Sequence, residues 1–479
     1  MNDIILQISN IIFMLSIGYY LLQNLQWYNY NILRVIFKHN KFHWHLLYFV
    51  LPVVLFCLLD DYFIYYNIIH IILLIIWYKR LDKKLVWTSR ICRFFITYCI
   101  FLTISFVVII VLDTTKYILF ISLAVSLLIS YISEMIIINQ YKKMAIKKLN
   151  SIENLIIIAI TASYGKTSIK NFIYSLLSRQ FRTYATPRSV NTINGIISDI
   201  NNNLPNDCQI YIVEAGARVK GDIEKISNLI NHHYAVIGEI GEMHLQYFKS
   251  LENIKNTKYE LFKSTRLKEV FLFRENEIPS DINVPITLFP QNISNIHSDL
   301  LGSSFDMKLD NKTYSFHTKI LGEFNISNLC VAIIIAYKFG ISPNRIVELV
   351  RSIKQVEHRL EKIEVSGSII LDDSFNGNLN GMKEAIRLAS LHKGGKKIIV
   401  TPGIVENSIE NNVKLAILID EVFDIAIITG ELNSKILVQN IFNAQKIITK
   451  DKMNLNDILS KFCSSGDLVL FANDAPSYI

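Results

Sequence analysis

The chain is poor in the features that mark secreted, zinc-binding or nucleic-acid-binding proteins. Its six cysteines (Cys57, Cys92, Cys99, Cys208, Cys330 and Cys463) are scattered through 479 residues without paired spacing, so neither a disulfide framework nor a zinc site is indicated. No internal repeat, low-complexity linker or RNA- or DNA-binding motif is found. The first apolar stretch lacks the basic start and small-residue cleavage site of a signal peptide. Charge is also nearly missing from long parts of the first 140 residues. The formal net charge of +8 is therefore largely contributed by lysines and arginines flanking those parts and excludes no ordinary globular function.

What fills the charge-poor region is hydrophobic. Residues AVILMFWYC make up 51% of the chain, and the excess over a soluble protein sits mostly before residue 140. Five apolar stretches are read as membrane spans: Ile4 to Leu22, Trp44 to Leu59, Tyr62 to Tyr78, Phe94 to Leu112 and Tyr117 to Ile138. Arg34, Lys38 and Lys41 follow the first, Lys79 to Arg93 carries six basic residues after the third, and Lys142, Lys143, Lys147 and Lys148 follow the fifth. The opposite connections hold Asp60 and Asp61, then Asp113 and Lys116. The positive-inside rule then expects a multi-pass protein of the bacterial inner membrane, with everything after residue 140 in the cytoplasm.

From residue 155 the pattern changes to short apolar runs alternating with helical periodicity, which predicts α/β layers with a largely parallel sheet. Strands are expected at Leu155 to Thr161, Gln209 to Glu214 and Tyr234 to Ile240, with an antiparallel excursion over Ser264 to His317. A helix is expected over Ile326 to Phe339, and a second, Rossmann-like α/β unit starts near His358. The expected division is 1–145 for the membrane region, 146–355 for a central α/β domain and 356–479 for the second.

The run LIIIAITASYGKTS (Leu155 to Ser168) breaks from a buried strand into a Gly-Lys-Thr loop that opens a helix. Loop N–H groups and the helix N-terminus suit phosphates, Lys166 can reach a terminal phosphoryl group, and the Thr167 hydroxyl can bind Mg²⁺. Glu214 ends the strand in QIYIVEAGA, where a carboxylate is placed either for Mg²⁺ or to cap a helix. His244 in GEIGEMHL follows the next strand on the same edge. Lys258 in NTKYELF reads by spacing as a solvated surface lysine, with Glu260 nearby. Asn325 and Asn328 in GEFNISN suit helix caps, and DDSFNGN from Asp372 suits a tight loop.

Taken in order, TASYGKTS, NTINGI, VEAGARVKGDI, IGEMHLQYF, NTKYEL, GEFNISN, HRLE and DDSFNGNLNGMKEA resemble the Mur ligase family, nearest its MurF branch, over roughly residues 150–479. The resemblance implies an ATP-dependent amide ligase of peptidoglycan precursor synthesis, which joins D-Ala-D-Ala to UDP-MurNAc-tripeptide through an acyl phosphate. It implies that Ser163, Gly165, Lys166, Thr167 and Ser168 form the ATP phosphate loop, with Thr167, Glu214 and His244 holding magnesium. It further implies a carbamylated Lys258 serving a second Mg²⁺, adenine-side contacts from Asn325 and Asn328, and closure of Arg359 and Asp373 over phosphate and ribose. The chain departs from the family pattern where Ala162 replaces the first loop glycine and Phe324 replaces a histidine. Its ending FANDAPSYI lacks the usual glycine-serine-arginine, and membrane spans stand in place of the UDP-binding domain.

That last departure motivates a second expectation, an amide ligase acting on a lipid-linked or poly-amino-acid substrate. A transporter energised by a phosphate-loop ATPase is disfavoured, because the spans hold almost no interior ionisable residue and no transporter signature follows the loop. Partners are thus the two ligase substrates and a membrane, with no nucleic acid; nothing in the sequence sets the oligomeric state.

Overall fold

The computed structural model describes residues 3–473 except 38–40, 82, 189, 244, 281, 376, 406–407 and 450–454. The chain divides into two compact units, Met1–Gln140 and Tyr141–Ile479.

The first unit is helical. Among the described residues four helices are long and apolar enough to cross a membrane: Ile4–Trp27, Asp60–Lys79, Ser89–Leu112 and Ile118–Ser151. The expected second span is the shorter helical run Phe42–Leu58. Pro52 sits in its middle, at the start of the helix Leu51–Leu58, and a π-type segment, Leu46–Val50, precedes it. Proline cannot donate to the preceding turn, and the wider segment absorbs that break.

Aromatic packing fills the interior of this unit: the Phe13 ring lies 5.0 Å from that of Phe56 and 4.8 Å from that of Phe63. Isoleucines such as Ile68, Ile69, Ile72 and Ile100 face outward, a surface suited to lipid. An ion pair of 2.9 Å joins Lys116 to Asp60, so the two connections assigned to the outer side meet. Gln23 and Gln26 bond the Lys83 and Val86 carbonyls, and Arg90 lies 3.6 Å from the Tyr30 ring centroid, so two connections assigned to the inner side also meet. One difference from the sequence reading is a buried ionisable side chain, His70, held 3.0 Å from the Ser16 hydroxyl.

The second unit holds two six-stranded sheets and a three-stranded one. The first contains β1 (Ile156–Thr161), β2 (Thr183–Ala185), β3 (Ile210–Glu214), β4 (Tyr234–Ile237), β5 (Glu269–Phe273) and β6 (Ile286–Phe289), all parallel in the order β2-β3-β1-β4-β5-β6. Its inner strands β1 and β3 are Ile/Val-rich apolar runs because helices cover both faces. On one face the helices Lys166–Leu177 and Glu323–Lys338 pack through Phe172, Ile173, Leu329 and Ile333. On the other lie Ala145 and Leu149, with Ile196 and Ile226.

Sequence reading treated Ser264 to His317 as one antiparallel excursion, but β5 and β6 extend the parallel sheet. Only β7 (Ile293–Asp299), β8 (Gly302–Leu309) and β9 (Lys312–Thr318) form an antiparallel meander. The short β5 and β6 lack a recognisable helix between them, which hid the crossover.

The second six-stranded sheet comprises β10 (Glu361–Val365), β11 (Ser368–Asp373), β12 (Lys397–Thr401), β13 (Ile425–Thr429), β14 (Gln445–Thr449) and β15 (Leu468–Ala472). Its order is β10-β11-β15-β12-β13-β14, with only β10 antiparallel. The edge strand β10 was not expected from the sequence. Its polar alternation, Glu-Lys-Ile-Glu-Val, suits an exposed edge rather than a buried strand. Leu321 and Phe324 join the core of this sheet, which ties the start of the helix Glu323–Lys338 to it.

Candidate active site

The site gathers at the carboxyl ends of β1 and β3, where an open parallel sheet collects ligands. After β1 the chain turns through Gly165, left-handed at φ +77°, and enters the helix at Lys166. A side chain at Gly165 would lie 2.8 Å from the Asn328 amide, so the loop requires glycine both for its angle and for its space. Ala162, where the family has glycine, is buried and is not among the left-handed residues, so alanine fits there.

The loop is braced from the turn after β4. The Ser163 N–H donates to the Glu239 carbonyl at 2.8 Å and its hydroxyl to Gly241 O at 3.0 Å, while Ser168 is buried in the first helical turn. Tyr164 packs where any side chain on Gly241 would collide with its ring.

Lys166 folds its ammonium over the loop, donating to Ala162 O at 2.8 Å and Ser163 O at 3.1 Å. Burial lowers its pKa to about 8; the Arg359 cation adds to that and Glu214 opposes it. The Thr167 hydroxyl donates to Glu214 Oε2 at 3.2 Å, and Asn191 Nδ2 donates to Oε1 at 3.2 Å. Glu214 is therefore a side chain aimed at the loop, and not a helix cap.

Lys258, which spacing alone assigns to the surface, is buried in the last turn of the helix Leu251–Tyr259. Its pKa is driven well below the usual lysine value, first by burial and then by Lys166, against the pull of Glu214 and Glu260. Glu260 accepts from the Gly221 and Glu224 N–H groups at 2.8 and 3.0 Å, capping the helix Asp222–Ile230.

Asn325 is buried, with Nδ2 on Leu321 O at 2.9 Å and Oδ1 without a hydrogen-bond partner. Asn328 lies against the loop glycine. Phe324 points into the core of the second sheet, which accounts for an apolar residue where the family has histidine.

Arg359 is flanked by His358 and Leu360, both left-handed at φ +61° and +56°. Such angles are costly for these residues and persist only when the surroundings enforce them. Here the His358 ring bonds Asp372 Oδ2 at 2.8 Å, and the Arg359 guanidinium donates to the Phe375 carbonyl. Burial lowers the Arg359 pKa, with Asp373 and then Glu214 acting in the opposite sense. Asp373 is itself buried at the end of β11. His244 lies outside the described residues.

Three contributors went unnoticed in the sequence. Lys170 pairs with Glu214 at 3.1 Å, Asn191 holds its other oxygen, and the Thr186 hydroxyl accepts the Glu214 N–H at 3.1 Å. Lys170 could have been found as the lysine one helical turn past Lys166 and Asn191 as the residue that opens NTINGI; Thr186 carries no local signal.

A hydroxyl and a carboxylate converging on the start of a helix form an oxygen donor set suited to Mg²⁺. Among the described residues no group of three His, Cys, Asp or Glu could hold a metal.

This α/β part has the fold of the Mur ligases, and residues 160–336 match the family described as Mur ligase middle domain. MurF from Thermotoga maritima in complex with ADP superposes with a TM-score of 0.61 at 21% identity, covering 70% of this chain and 80% of that one. MurF from Acinetobacter baumannii gives 0.61 at 21%, covering 70% and 77%.

Among curated proteins, UDP-N-acetylmuramoyl-tripeptide--D-alanyl-D-alanine ligase of Bacillus subtilis (strain 168) is 29% identical over 333 residues, 66% of this chain and 72% of that protein. The Borreliella burgdorferi ligase of the same name is 28% identical over 51% of this chain, which spans about half (54%) of that relative. These homologues are MurF ligases, and the N-terminal helical region is additional to the MurF core.

Proposed function

We propose that the chain is an ATP- and Mg²⁺-dependent, ADP-forming ligase that joins the amine of D-Ala-D-Ala to the peptide carboxylate of UDP-MurNAc-tripeptide in peptidoglycan precursor synthesis. The observation that carries this reading is the convergence of Lys166, Thr167, Glu214, Lys258 and Arg359 inside a core similar to MurF. In this reading Ser163 to Ser168 hold the phosphates, Thr167, Glu214 and His244 hold Mg²⁺, and Asn325 and Asn328 stand on the adenine side. Arg359 and Asp373 close from the second sheet, and the domains divide at about residues 145 and 355.

The physical logic follows from charge. A carboxylate resists amines because its leaving group is poor, and phosphorylation to an acyl phosphate removes that obstacle. Phosphoryl transfer brings two anions together, so catalysis is largely positioning and neutralisation. Lys166 and Arg359 bring fixed positive charge to that point, and Mg²⁺ would supply Lewis-acid neutralisation between phosphate oxygens.

Lys258, buried beside another cation, is held as a neutral amine, the form that captures CO₂. The amine nitrogen bonds the carbon, one proton is released, and the resulting carbamate offers oxygen ligands to a second Mg²⁺.

The helical unit favours a second acceptor, the same peptide carried on a lipid. Four helices able to span a membrane occupy the region additional to the MurF core, and a membrane-bound substrate needs no soluble sugar-nucleotide pocket. We place the protein in the bacterial cytoplasmic membrane with the α/β unit on the cytoplasmic side.

The test is an assay of full-length protein with ATP, Mg²⁺ and D-Ala-D-Ala, offering soluble and lipid-linked tripeptide in parallel. Phosphate release with pentapeptide formation on either acceptor is expected. No product on either, where a control MurF is active, would refute the ligase reading.

A further inference from the structure

Lys170 is a buried charge that the scheme above leaves unused. Its side chain is only 2% exposed, one turn beyond Lys166 on the same helix. Lysine is rarely enclosed unless paired, since the desolvation of its ammonium has to be offset. The ammonium makes two contacts: Glu214 Oε2 at 3.1 Å and the Arg188 carbonyl at 2.9 Å.

The same segment reaches Glu214 twice more. Thr186 Oγ1 accepts the Glu214 N–H at 3.1 Å, and Asn191 Nδ2 donates to Oε1 at 3.2 Å. Asn191 is fixed in turn, because its carbonyl accepts the Gly216 N–H at 2.8 Å and its side chain fills the space beside that glycine. Thr186, Arg188, Asn191 and the carboxylate therefore form one hydrogen-bonded assembly with Lys170 as its internal cation. Arg188 extends this assembly outward through an exposed ion pair of 2.8 Å with Glu357, two residues before Arg359.

We propose that Lys170 is a positioning residue: it balances the Glu214 carboxylate as a stand-in for the divalent cation and anchors the backbone at Arg188 beside that carboxylate. The inference rests on reading Glu214 as a Mg²⁺ ligand. A fixed cation beside the carboxylate stabilises the protein before Mg²⁺ binds and competes with Mg²⁺ afterward. Removing it makes the protein depend more on Mg²⁺, which a purely structural lysine would not do.

The experiment compares thermal midpoints of full-length wild type, Lys170→Met and Lys170→Arg with ADP, with and without excess MgCl₂. Lys170→Met is expected to melt lower than wild type without Mg²⁺ and to show a Mg²⁺-dependent rise at least about twofold larger. Lys170→Arg, which keeps the charge, should rise as wild type does. Tryptic cleavage after Arg188 should be at least about 5-fold faster in Lys170→Met, since the carbonyl tether is gone.

An equal Mg²⁺-dependent rise in wild type and Lys170→Met overturns the proposal while leaving the ATP site standing. No rise in wild type overturns the reading of Glu214 and this proposal with it. If Lys170→Met does not accumulate folded, Lys170→Gln, which keeps a donor for Arg188 but no charge, carries the same comparison and the same outcomes.

Discussion

A side chain at Gly165 would meet Asn328 of the helix Glu323–Lys338, and the coupling of the two positions can be measured. In Gly165→Ala the new methyl sits 2.8 Å from both Nδ2 and Oδ1 of Asn328, at a backbone angle of φ +77°. The angle alone costs an L-residue about 1 to 2 kcal/mol. The overlap adds roughly 1 to 3 kcal/mol unless the asparagine amide moves, which it can do only by leaving its place beside the loop. In an Asn328→Ala background the steric part disappears and the angular part remains.

A double-mutant cycle on ADP affinity, by calorimetry on full-length protein, should therefore be non-additive. Gly165→Ala is expected to weaken binding roughly 30- to 5000-fold in wild type but only about 5- to 30-fold when Asn328 is alanine. Strictly additive losses would show that the asparagine does not touch the loop. The geometry assigned to the pair would then be wrong.

Other consequences are simpler to test. On the proposed reading Lys166→Ala should lower ligase turnover by at least about 100-fold without changing the fraction in which the protein is found, because Lys166 opens the helix after β1, outside the long apolar helices; retained turnover would remove it from the mechanism. If neutral Lys258 is carbamylated, bicarbonate-free buffer should reduce turnover and added bicarbonate restore it, and Lys258→Arg should be inactive in both; indifference to bicarbonate would leave Lys258 unmodified. His232 is enclosed, and burial lowers its pKa to about 3, so folding holds the imidazole neutral. Its contribution is then full above the unfolded value of 6.5 and is lost as pH falls toward 3, a loss of about 2 kcal/mol between pH 7 and 5. A thermal midpoint that falls as steeply with acid in His232→Leu as in wild type would contradict this.

Where strands are continuous Ile/Val runs, as in β1, β3 and β13, the α/β architecture could be read from the sequence because burial on both faces leaves an unbroken apolar signal. The strands that escaped are those lacking that signal. β2 has only three residues at the sheet edge, and β10 alternates because one side faces solvent. The run from Trp44 to Leu59 was read by hydropathy as a short span; its helix passes through a π-type segment before Pro52, an effect of a missing N–H that hydropathy does not register.

The candidate site was legible to the extent that it is built from segments with their own grammar. The Gly-Lys-Thr loop could be read locally, because strand, turn and helix start are adjacent in the chain. Lys258 could not, since a lysine on a short polar helix looks solvated, and only the tertiary fold brings it beside Lys166 and buries it. Lys170 was passed over for the opposite reason: its place one helical turn past Lys166 is legible, but among the apolar residues of an amphipathic helix a lysine reads as a break in the pattern rather than as half of a buried pair. Both lysines surround the one carboxylate, Glu214, that meets Thr167. Lys166, Lys170 and Arg359 set cationic side chains around that carboxylate while Lys258 is held neutral, a balance that favours the entry of anions such as nucleotide phosphates.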